Sequence, residues 1–89
     1  MRLTFHTDYA LRLLMHLALA PERVVTISEV AGAFAISRNH LMKVAHELGR
    51  AGFLETSRGR GGGLRLSRAP ERIVIGDVVR VMEEDFRIV

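Results

Sequence analysis

Two apolar quartets with helical spacing stand almost back to back in this chain, and together they leave few folds open. Ile27, Val30, Ala31 and Phe34 recur at i, i+3, i+4 and i+7, and so do Leu41, Val44, Ala45 and Leu48. Each quartet is the core face of one short helix. Thr26-Ile27-Ser28-Glu29 opens the first as a capping box, in which the Thr hydroxyl accepts the amide three residues on and the Glu reaches back. Ala35-Ile36 form a short turn, Ser37 is a natural N-cap for the second helix, and Gly52 is placed to end it in a left-handed conformation.

The segments after Gly52 are strand-like. Phe53 to Ser57 opens with two large apolar residues, and Leu64 to Ser67 alternates with period two. Between them, Arg58-Gly59-Arg60-Gly61-Gly62-Gly63 has four glycines in six residues, which predicts a flexible hairpin tip. Before the quartets, Thr7 to Ala20 reads as a helix stopped by Pro21; it is apolar almost all round except for Asp8, Arg12 and His16. Such a helix must be covered on more than one side, and 89 residues have little material to do it. A partner surface is therefore expected there. After Pro70, a last helix from Gly76 to about Asp85 is expected to bury Val78, Val79, Met82 and Phe86.

Charge is unevenly spread. Residues 37 to 68 carry seven bases (Arg38, Lys43, Arg50, Arg58, Arg60, Arg65, Arg68) against two acids, a local net of +5, while the whole chain is only +3. A basic field of this kind suits a polyanion such as nucleic acid. On a helical wheel Asn39, Lys43, His46 and Arg50 fall opposite the core face of the third helix, and none of this stripe is a large hydrophobe. Two capped helices, a tight turn and a basic glycine-rich hairpin are the order of a mainly α winged helix-turn-helix domain, here spanning residues 1 to 89. In that reading Ser37, Arg38, Asn39 and His40 enter the major groove at the helix N-terminus. Lys43 takes a phosphate, and Arg58, Arg60, Gly61 and Gly62 of the wing approach the minor groove. A winged helix that binds protein instead of DNA is one alternative.

Other chemistries find little support. The glycine run lacks the Gly-x-Gly-x-x-Gly spacing, precedes a strand and is followed by no Lys-Ser/Thr pair, so it is no phosphate loop. There is no cysteine, the four histidines show no metal-site spacing, and no nucleophile–base–orienter set is visible, so no enzyme is expected. Ala18-Leu19-Ala20 after an apolar run mimics a signal peptide, but Asp8, Arg12 and His16 interrupt it. No stretch approaches the ~18 apolar residues of a membrane span, and a cytoplasmic location is expected.

Several of these segments resemble the NsrR/IscR family of bacterial winged-helix repressors. They are Met1 to Thr4 with Thr7 to Arg12, Ile27 to Ala31, Ser37 to Lys43, Arg58 to Leu66, and Ile75 to Arg80. Ser37 to Lys43 and the wing are most similar to the nitric-oxide-sensing branch. The resemblance implies a homodimer on a palindromic operator. It also implies an iron–sulfur cluster (2Fe–2S or 4Fe–4S), held by three cysteines that follow the region ending at Val89, with nitric oxide as effector; the cysteine segment and long dimerisation helix are not in these residues. A related family regulator that senses iron–sulfur status or redox instead of nitric oxide is the other alternative. In some members an aspartate of the Thr-Asp-Tyr motif is a fourth ligand across the dimer, and Asp8 matches it. Read from the residues alone, Asp8 is a first-turn acid that stabilises the helix N-terminus, or a pair for Arg12.

Overall fold

A computed structural model describes residues 4–57 and 62–88, with side chains to residue 83. The elements are α1 (Phe5–Ala18), α2 (Ile27–Phe34), α3 (Arg38–Arg50), β1 (Leu54–Ser57), β2 (Gly63–Leu66), a 3-10 turn at Pro70–Arg72, and α4 (Ile75–Ile88). The order matches the sequence reading, with differences at the ends. Helix α1 begins two residues earlier than expected because Thr4, not Thr7, is the N-cap: its Oγ1 accepts the Thr7 amide at 3.1 Å. Helix α1 also stops two residues short of Ala20, since the residue before a proline is driven out of the helical region.

The core is one cluster. Ala10, Leu13, Leu14 and Leu17 of α1 meet Val30 of α2, the full Leu41/Val44/Ala45/Leu48 quartet of α3, and Val78 and Met82 of α4. Val79 is only partly buried, and Phe86 falls outside the described side chains. In the α2 quartet Val30 alone is fully buried; Ile27, Ala31 and Phe34 pack at the margin.

The α2–α3 turn is made by Ala35, which takes a left-handed conformation (φ 56°, ψ 45°). That conformation costs a residue with a Cβ about 1–2 kcal/mol. It brings the Ile36 amide onto the Ala31 carbonyl at 3.1 Å and drives Ile36 into the core. Gly52, at φ 88°, ends α3 as expected, and the Phe53 amide returns to the Leu48 carbonyl at 2.9 Å. The Thr26 cap forms too, but only half of the box: the Glu29 amide donates to Thr26 Oγ1 at 3.1 Å. Its carboxylate instead accepts from Arg23 at 2.7 Å and meets His16 of α1 at 2.9 Å.

Strands β1 and β2 pair antiparallel, Leu54 opposite Leu66 and Ser57 opposite Gly63. Val25 adds a third, one-residue rung by exchanging both backbone bonds with Leu64, at 2.8 and 2.6 Å. This rung corrects the expectation that all four glycines belong to the hairpin tip. Gly63 is the first residue of β2, and a Cβ there would lie 2.5 Å from the Val25 carbonyl oxygen. It is required by close backbone approach, not by turn flexibility.

Candidate nucleic-acid interface

Helix α3 offers a polar face along its whole length. Arg38, Asn39, Lys43, His46 and Arg50 are exposed, and among the described residues none of them makes an ion pair or side-chain hydrogen bond. Ser37 caps the helix, its Oγ accepting from the His40 amide at 3.4 Å; a helix start leaves its other first-turn amides without a partner inside the helix. The helix end thus carries partial positive charge beside Arg38, which is the electrostatic condition for holding a phosphate or a base edge.

His40 does not share this face. It is half-buried, its ring edge-on to Tyr9 at 4.7 Å and stacked on His6 at 5.7 Å, both on α1. Burial, then the neighbouring His6 and Lys43, push its pKa down, so the neutral ring is favoured. The sequence groups His40 with Arg38 and Asn39 because all three come after the cap; the structure separates them because residue 40 lies on the flank that packs against α1. On the same flank Glu47 contacts the buried His6, and beyond it Thr4 donates to Glu83 of α4 at 2.9 Å, alongside Thr7. These long-range polar contacts join α1 to α3 and α4 and have no local signature in the sequence.

The basic surface is narrower than a charge count implies. Arg65 is paired across the hairpin with Glu55 at 2.9 Å. Arg68 donates to the Gly52 carbonyl at 2.9 Å and lies over the Phe53 ring at 5.5 Å. Arg65 is thus engaged across the two strands of the hairpin, and Arg68 ties the hairpin to the end of α3. Arg58, Arg60 and Gly61 lie outside the described residues; Gly62 is partly buried next to β2. A cleft of about 370 Å³ runs between α3 and β1, with His46, Arg50 and Thr56 along it and Ala45, Gly49 and Leu54 at its floor. It joins the exposed face of α3 to the strand that leads to the wing.

The α3 stripe also has an apolar neighbour that the helical wheel does not single out. Met42 is 54% exposed, one turn from both Arg38 and His46.

Asp8 sits in the first turn of α1 and accepts from Arg12 Nε at 3.0 Å, with both side chains partly exposed. Among the described residues no group of three His, Cys, Asp or Glu comes together to hold a metal ion, and none of their helices is long and apolar enough to cross a membrane.

A short helix α2, a tight turn, an exposed basic α3 and a hairpin after it define a winged helix-turn-helix domain. The chain belongs to the Rrf2 family, described as iron-dependent transcriptional regulators, whose profile matches residues 3–89. It is 52% identical to the HTH-type transcriptional regulator NsrR of Bacillus licheniformis over the whole chain and 63% of that protein. To the NsrR of Bacillus subtilis it is 53% identical, covering the whole chain and 62% of that protein. Thus the chain spans less than two thirds of these relatives. Among solved structures, CymR, the global cysteine regulator of B. subtilis, superposes with a TM-score of 0.87 at 27% identity over 93% of this chain and 65% of that one. IscR of T. potens gives 0.85 at 28% identity, over 92% of this chain and 61% of that one. The family resemblance read from the sequence is borne out.

Proposed function

We propose that these residues are the DNA-binding part of a transcription repressor that grips a palindromic operator as a homodimer. The observation that carries this reading is the α3 face: five exposed polar or basic side chains with no intramolecular partner among the described residues, on a helix whose opposite side is wholly buried. Arg38 is suited to guanine, Asn39 to adenine, Lys43 and the Ser37-capped helix end to phosphate. Arg58 and Arg60, with Gly61 and Gly62, follow the wing into the minor groove. His40 acts from behind, holding α3 against α1.

Dimerisation is supported by the apolar surface of α1 and the start of α4, where Met15, Leu19, Val74 and Ile75 are all more than half exposed. Nitric oxide acting on an iron–sulfur cluster is the proposed signal, supported by the family's iron dependence and by relatives named NsrR. The donors present do not fit a cluster: the chain has no cysteine, and the Asp8 carboxylate is engaged by Arg12. Asp8 could supply one ligand after leaving Arg12; the others would come from sequence outside these residues.

The test is binding to random-sequence duplex DNA, followed by fluorescence anisotropy as salt is raised. About four phosphate contacts predict a loss of affinity of roughly 100-fold between about 50 and 200 mM salt. Binding that is absent, or indifferent to salt, overturns the DNA reading.

A further inference from the structure

Six side chains of α3 are exposed, and five of them are polar or charged; Met42 is the exception, with 54% of its surface in solvent. It has no share in the core, which α3 fills with Leu41, Val44, Ala45 and Leu48. Nor does it belong to an apolar patch. Arg38 and His46 stand one turn away on either side, with Asn39 and Lys43 between. A protein partner recognised through hydrophobic contact needs a contiguous patch, and a single exposed methionine beside Arg38, Asn39, Lys43 and His46 does not make one. A polar, partly basic surface with one apolar point fits an anionic ligand that offers one apolar point among its polar groups.

The major groove of DNA offers such a point. The apolar group that projects from its base edges, among donors and acceptors, is the C5-methyl of thymine. We infer that Met42 is a specificity-determining residue that packs on a thymine methyl, an inference that rests on the DNA-binding reading above. Asn39, suited to adenine, precedes Met42 by three residues, about 4.5 Å along the helix, close to one base step of about 3.4 Å. With the two residues one helical turn apart, the thymine is expected within a base step or two of the pair that Asn39 reads. The unbranched, polarisable thioether can follow a methyl whose position shifts with local DNA shape, which a β-branched side chain could not do.

Single exposed hydrophobes are common on proteins, so the test must read the methyl itself. Sites are selected from a random duplex library with the wild-type chain. Each thymine of the selected site is then replaced in turn by uracil, which removes only the C5-methyl. Wild type should lose about three- to tenfold at one thymine per half-site. Met42→Ala should bind the unmodified site weaker by the same factor and show no further loss when that thymine becomes uracil. Met42→Leu should keep most of the response. If Met42→Ala responds to uracil as wild type does, or if no thymine responds in wild type although a site was selected, the Met42 inference fails and the DNA reading stands. If no site is enriched and binding to random DNA ignores salt, both fail.

Discussion

Helices α1 and α3 lie against the same core, yet they use their polar residues in opposite ways. On α1 the polar stripe is engaged inside the molecule: Asp8 holds Arg12, and His16 reaches Glu29 on α2. The most exposed side chains of α1 and its C-cap are nevertheless apolar, with Phe5 75%, Met15 65% and Leu19 84% exposed. On α3 the polar stripe is left unpaired among the described residues, and the one exposed hydrophobe is isolated. The difference separates two tasks. A helix that keeps its charges to itself and shows hydrophobes is prepared for a protein surface. A helix that buries every large core residue and shows uncompensated bases is prepared for a polyanion.

The largest effect should come where the two helices are alike. Leu13 of α1 and Leu48 of α3 are both fully buried, and Leu13→Ala and Leu48→Ala should each cost about 2–5 kcal/mol in denaturant unfolding. A cost near zero for either would mean that the helix is not anchored as described, and the contrast between outer faces would lose its common frame. A smaller effect tests whether the α1 stripe is structural. Arg23, then His16, hold the Glu29 carboxyl down to about 2, below its ordinary 4.5. Because the folded value is the lower one, this contribution is fully present above pH 4.5 and fades as pH falls toward 2. Glu29→Gln should therefore melt lower than wild type at neutral pH and converge with it in acid. Parallel curves through that range would show that the stripe does not tie α1 to α2.

The contrast is only partly legible in the sequence. Helices α2 and α3, the Ala35 turn and the Gly52 stop all rest on contacts within a few residues of each other, and capping residues and apolar spacing report such contacts directly. The over-apolar character of α1 is equally plain. What escapes depends on elements distant in sequence. Spacing assigns His40 to the DNA face, yet it turns to α1; Arg65 and Arg68 count as free charge in the sequence and are bound to Glu55 and Gly52 in the fold. Gly63 reads as turn chemistry, but its reason is the carbonyl of Val25. Even the Glu29 half of the capping box is lost to Arg23 and His16; the Arg23 guanidinium outcompetes the local backbone amide because it brings charge.

The division of labour between the two faces can be tested in one assay. Affinity for duplex DNA would be measured against salt for the wild type, for Arg38→Ala/Lys43→Ala on α3, and for Met15→Ser/Leu19→Ser on α1. All four residues lie outside the core, so thermal stability should change by less than about 0.5 kcal/mol per substitution. The α3 pair should weaken binding at least about tenfold and reduce the log–log salt slope by about 1 to 2. The α1 pair removes no charge from the DNA face, so it should leave the slope per bound chain unchanged. Equal slopes for all three proteins, or a loss confined to the α1 pair, would contradict the assignment of α3 as the DNA-reading helix.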